Sequence, residues 1–235
     1  MTITRTAARQ TTLMYLLMGL PAVPALTYLP RAFVVSGDAA ATAQRITDGG
    51  SLYRLIVLGG LISAVGFLLL ASCLYHLFEN VDRKQARLLV MFVLVSVALG
   101  VADVVVLSVP LLLQSGAGYL AVLGKTQLDA LTLGAFGVRN HLLGISETFW
   151  GLWLLPFGVL VIKSGFIPKV IGVFLIMGCF AWLTLSVSSI VAPHAHLVET
   201  LVFPLTAPGE LSILGWLIVK SLTPKQTEAR LAYAR

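Results

Sequence analysis

The amino-acid sequence predicts an all-α, polytopic membrane protein, a bundle of six spanning helices with both termini on the cytoplasmic side. Of its 235 residues 58% are hydrophobic and only 11% charged, with a mean hydropathy of +0.95, whereas soluble domains carry roughly a quarter charged residues. Several apolar runs reach the roughly 20 residues that cross a hydrocarbon core as a helix. The runs also lack the alternation of a lipid-facing barrel strand. The net charge of +6 does not point to nucleic acid, because the basic residues are scattered over short loops and a tail.

The first span is expected over residues 11–35, with Pro21, Pro24 and Pro30 kinking and ending it. Arg5, Arg9, the apolar run from Leu13 and Ala22-Val-Pro-Ala25 loosely imitate a signal peptide, but the run continues to Leu29. It is long enough to span and is read as uncleaved. The second span, 52–78, carries a stripe of Gly59, Ser63 and Gly66, small residues that let a neighbouring helix approach. The remaining spans are expected over 88–113, 136–162, 168–192 and 197–220, followed by a basic tail, 221–235.

Eleven of the sixteen basic residues fall on the side of the termini, which the positive-inside rule makes cytoplasmic. The opposite side carries residues 36–51 and 114–135, the latter with a short interfacial helix suggested by 120–123 and 128–133. Neither loop is large enough for a separate domain, so the chain reads as one domain over 1–235. Cys73 and Cys179 lie in apolar runs and are expected as free, small hydrophobes.

Ionisable groups inside spanning helices cost several kcal/mol and face the bundle or a wet cavity. Three carboxylates qualify: Asp103, Glu147 and Glu210. Counted from the far ends of their helices, all three fall roughly 15 to 20 Å deep, in one layer near the midplane. Nearer the far surface come Arg54, Arg139 and His141, so the expected site is a funnel with a basic mouth and an acidic floor. Asn140, Gly144, Glu147 and Gly151 share one helix face, which turns Glu147 toward protein. Glu210 follows Phe203-Pro-Leu-Thr-Ala-Pro-Gly209, where two prolines and a glycine are expected to break the sixth span.

Each charge also has a plainer role: snorkelling to the interface for Arg139 and His141, helix-to-helix glue for Asp103 and Glu147, a packing kink at Glu210. His194 and His196 with Glu199 offer metal ligands in principle, but without a second cluster no metal is assigned. No phosphate loop, hydrolase elbow or paired CxxC motif occurs, and no cofactor is expected.

Five stretches in order, Leu52-Tyr-Arg-Leu-Ile-Val-Leu-Gly59, Leu74-Tyr-His-Leu-Phe-Glu-Asn-Val-Asp-Arg-Lys-Gln-Ala86, Phe149-Trp-Gly-Leu-Trp-Leu-Leu-Pro-Phe-Gly158, Lys163-Ser-Gly-Phe-Ile-Pro-Lys-Val-Ile-Gly172 and Gly209-Glu-Leu to Trp216-Leu, resemble the bacterial multi-pass membrane family catalogued as domain of unknown function 4386. The most specific part is the Ser-Gly-Phe-Ile-Pro-Lys turn with its flanking helices. The resemblance implies a bacterial inner-membrane protein of six or seven helices, and it implies no reaction.

The leading functional expectation is a non-enzymatic protein whose polar cavity binds or passes a small solute, lipid or proton. Asp103, Glu147 and Glu210 form its floor and Arg54, Arg139 and His141 its entrance. The alternatives are an intramembrane enzyme acting on a lipid or isoprenoid by general acid catalysis, and an assembly partner of a membrane complex. Membrane lipids, a small ligand, a second copy or a membrane-protein partner are the expected contacts, and nucleic acid is not.

Overall fold

A computed structural model describes residues 3–192 and 196–222; His194 and most of the expected basic tail lie outside them. Helix α1 (Arg5–Val23) passes through one π-helical turn (Pro24–Tyr28) into α2 (Leu29–Phe33), followed by α3 (Ala39–Asp48), α4 (Gly50–Phe78), α5 (Arg83–Leu113), α6 (Lys125–Leu152), α7 (Leu154–Ser164), α8 (Lys169–Val191), α9 (His196–Val202) and α10 (Ala207–Leu222). No strand occurs among the described residues. Among the described residues six segments are long and apolar enough to cross a membrane: Arg5–Phe33, Gly50–Phe78, Arg83–Leu113, Lys125–Ser164, Lys169–Val191 and Leu197–Leu222.

Several helices begin earlier than hydropathy alone suggests, because side chains cap them beyond the apolar run. The Thr4 hydroxyl accepts from Ala7 N at 3.2 Å, and the Asp82 carboxylate accepts from Lys84 N and Gln85 N, each satisfying amides that a helix start leaves open. The fourth span departs most from expectation. A 3₁₀ turn covers Gly118–Leu120, and in place of a separate interfacial helix over 128–133 α6 runs without interruption from Lys125. Lys125 and Asp129 pair at i,i+4 at 2.7 Å, and Gln114 donates to Asp129 and Thr132, so the polar first turns are held by their own contacts. The other surprise is α3, which starts on an Asp38 cap and buries Thr42, Ala43 and Ile46 at helical spacing.

The six spans close into a ring: α1 packs on α4, α4 on α5, α5 on α6, α6 and α7 on α8, α8 on α10, and α10 back on α1. Close packing replaces the hydrophobic effect as the adhesive when lipid tails are as apolar as the helices. Gly144, Gly151 and Gly158 recur every seven residues and meet Ser186, Cys179 and Gly172, which recur every seven residues on α8. A Cβ on Gly151 would come within 2.8 Å of Cys179 O, and one on Gly158 within 2.6 Å of Gly172 O. Such a heptad of small residues keeps two crossing helices in register as they wrap. The stripe on α4 works alike: Gly59 faces Pro21 O, Gly66 faces Leu17 and Met18, and Ser63 donates to Met18 O at 2.5 Å.

Arg5 and Arg9 each donate to Ser221 O, at 3.1 and 3.2 Å, placing the first and last described helices on one side, here the terminal side. Two cationic groups there satisfy the open carbonyl end of α10. On the same side Lys163 pairs with Asp82 at 2.7 Å, tying the end of α7 to the start of α5. The Lys163 hydrogen bond, aided by the Gln85 amide, holds the Asp82 carboxyl below its ordinary range. A carboxyl depressed in the folded state stabilises at pH above its unfolded value of about 4 and loses that contribution as pH falls through the folded value. Hydrogen exchange at the Lys84 and Gln85 amides, corrected for the intrinsic rate, is therefore expected to accelerate on acidification with a midpoint below about 4, and Lys163→Met to raise that midpoint. An unchanged midpoint in the variant would show that the pair does not couple.

Two apolar cores result. One, toward the terminal side, gathers Leu74, Phe78, Leu89, Phe157 and Leu160. The other, toward the far side, gathers Leu29, Phe33, Tyr53 and Leu107. The space between them is not filled.

Candidate functional site

Between the cores lies a cavity of about 270 Å³ bounded by α1, α4, α5, α6, α8 and the sixth span. Asp103 and Glu210 both line it. Small residues open the volume, among them Gly60, Ser63, Ser96, Gly100 and Ser146, and a Cβ on Gly100 would meet nothing within 4 Å. Val23 and Leu26 stand at the rim with 51% and 44% of their surface exposed. The rim is thus apolar and continuous with the outer, lipid-type surface of the bundle.

The Asp103 end is closed by charge. Arg139, 2% exposed, reaches across from α6 and grips both carboxylate oxygens, Nε to Oδ1 at 2.9 Å and Nη2 to Oδ2 at 3.3 Å, the bidentate fork that suits a guanidinium to a carboxylate. Its Nη2 also donates to Ala25 O at 3.1 Å, and the proline pattern of the first span explains why that carbonyl is free. Leu29 N bonds back to Pro24 O, five residues away, which opens the π turn. The next amide that could serve Ala25 O belongs to Pro30, which has no N–H. A buried arginine takes up the orphan.

The Glu210 end is built differently. Pro204 and Pro208 break the sixth span: α9 stops at Val202, a 3₁₀ turn covers Phe203–Leu205, Thr206 folds its hydroxyl onto Phe203 O at 2.7 Å, and α10 restarts at Ala207. Glu210 thus sits in the first turn of α10, where the helix dipole favours an anion. Gly209 fits with its α-carbon against the α8 backbone; a Cβ would lie 2.8 Å from Leu175 N. No cation pairs with Glu210 among the described residues. The indole N–H of Trp182 is directed at Glu210, and the hydroxyl of Tyr15, a residue only 3% exposed, lies near it without a hydrogen-bond partner of its own.

Aromatic rings make the wall between the two ends. Trp150 packs edge-on to Trp182 at 5.3 Å, Phe67 edge-on to Trp153 at 5.2 Å, and Trp182 edge-on to Phe203 at 6.2 Å. Mutual bracing fixes the indoles that line the cavity.

The profile of the family described as Domain of unknown function (DUF4386) matches residues 11–221. The chain belongs to this family. No match was found among curated proteins or among solved structures. In this DUF4386 chain the match takes in all six spans almost completely.

The structure brings Asp103 and Glu210 to one cavity, though not to one layer. By helix rise Glu210 stands about 18 Å and Asp103 about 30 Å from the terminal side. The break in the sixth span removes the uniform rise on which equal depths depend. Glu147 lies elsewhere: Gly144 and Gly151 of its stripe do press on α8, but Glu147 neighbours Glu199 of α9, with its Oε2 buried and unbonded, and does not line the cavity. Asn140 of the same stripe is exposed. Arg139 is a buried partner of Asp103, away from any mouth. Arg54 and His141 are exposed and do not line the cavity. Sequence reasoning passed over Tyr15, the tryptophan wall and Ala25 O. The six-residue spacing of Pro24 and Pro30 is the one signal that marks the last.

Proposed function

We propose that this membrane protein binds a small amphiphile inside its helical bundle, in the cavity between Asp103 and Glu210. The observation that carries the proposal is an unfilled volume of about 270 Å³ that sets against aromatic walls a carboxylate with no ion-pair partner among the described residues. Packed cores leave few voids, and those lined by polar groups hold water or a ligand. An apolar rim at Val23 and Leu26 suits entry from the lipid phase. Binding is favoured over acid catalysis because both Asp103 oxygens are engaged by Arg139, leaving Glu210 without a second free acid in the cavity.

The test uses Gly100→Leu, which extends a side chain into the open volume. Native mass spectrometry of the two proteins extracted from the same membranes is expected to show an adduct on the wild type, reduced at least about tenfold in the variant. Stability should hold or rise by about 1 kcal/mol, since glycine is the poorer helix former. Equal adduct occupancy in both proteins would overturn the proposal.

A further inference from the structure

We infer that the occupant is an organic cation, an alkyl- or arylammonium whose charge sits against Glu210 and whose apolar body lies along Trp150, Trp153 and Trp182. The inference rests on the binding function proposed above and names its ligand class. The charge inside the cavity is unbalanced. Asp103 is matched by Arg139 at 2.9 Å, so that end is neutral, while Glu210 has no cation paired with it among the described residues. A carboxylate at this depth in a hydrocarbon slab is costly until a positive partner arrives.

The surroundings select which cation. A hydrated metal ion needs several oxygen ligands in place of its water, and the described residues contain no group of three or more acidic, histidine or cysteine side chains placed to hold one. A bare proton would neutralise Glu210 and leave the volume empty. An anion would need a free basic group, and Arg139 is already spent on Asp103 and Ala25 O. Tryptophan faces attract ammonium groups better than any other ring, and three indoles line this cavity.

The second, independent observation is Tyr15. Its hydroxyl is buried, has no partner and lies close enough to Glu210 for the two to interact electrostatically. The phenol is uncharged and can at most hydrogen-bond Glu210, so it leaves the charge of the carboxylate for a ligand cation to balance. An α-carbon in place of a side chain at Gly209 lets the start of α10 lie close against α8, which fixes the position of Glu210.

The experiment measures binding to the purified full-length chain in lipid nanodiscs through tryptophan fluorescence, with benzyltrimethylammonium and its uncharged carbon isostere neopentylbenzene as probes. Both affinities are referred to concentration in the lipid phase. The ammonium is expected to bind at least about tenfold more tightly than the isostere, and Glu210→Gln to abolish the difference. Because the isostere comparison is made on the wild type, the result does not depend on the variant folding. Equal affinity for the two probes would overturn the cation inference while leaving the cavity a binding site. Failure of both probes to bind would overturn the cation inference and count against the binding function as well.

Discussion

Arg139→Met is expected to destabilise the protein by about 3–5 kcal/mol in reversible unfolding from detergent micelles, the cost of leaving one member of a buried ion pair without its partner. The geometry explains the size. Arg139 is almost fully enclosed and makes three hydrogen bonds, two to Asp103 and one to Ala25 O. Removing it strands a carboxylate and a backbone carbonyl at once, and methionine brings no donor to either. Asp103→Asn should cost less, because the amide still accepts from Arg139, and adding it to Arg139→Met should recover part of the loss. That recovery would appear as a coupling energy in a double-mutant cycle. A loss under about 1 kcal/mol for Arg139→Met, the range of exposed pairs, would mean that the pair is solvated and the cavity wide open.

Gly158→Val is expected to cost about 3 kcal/mol, at the upper end for overpacking a close-packed interior. A Cβ there lies 2.6 Å from Gly172 O and 2.6 Å from Ile176 Cγ1. The isoleucine can turn away, but the carbonyl belongs to the α8 backbone and moves only if α7 and α8 separate. Separation would propagate along the seven-residue seam to Gly151 and Gly144, loosening the wall that carries Trp150 and Trp153. Gly215→Ala is the control, since nothing lies within 4 Å of a Cβ at that position. It should be neutral or stabilising by up to about 1 kcal/mol. Similar losses for both variants would contradict a role for close approach at Gly158.

The hydropathy pattern placed the spans because membrane crossing is set by length and apolarity, both local properties of sequence. What it misjudged were the ends. Thr4, Asp82 and the Lys125–Asp129 pair extend helices into polar sequence through hydrogen bonds that a hydropathy window averages away. The break at residues 203–209 was legible because proline acts locally on its own helix. Arg139 was not, because its depth depends on where α1 opens: the free carbonyl of Ala25 arises from Pro24 and Pro30 on another helix, more than a hundred residues earlier in the chain. Glu147 shows the same limit. Gly144 and Gly151 of its helix face pack on α8 while Asn140 of that face is exposed, and one residue of rotation separates Glu147 from Ser146, which lines the cavity; sequence alone does not say which neighbour each face meets.

The most direct measurement is a high-resolution structure of the protein in lipid nanodiscs, prepared from its membranes without added ligand. It should show non-protein density in the cavity, reaching Glu210 and lying along Trp150, Trp153 and Trp182, with Asp103 still gripped by Arg139. A cavity closed by protein side chains, with Glu210 paired to a basic residue of this chain, would contradict an intramembrane binding site.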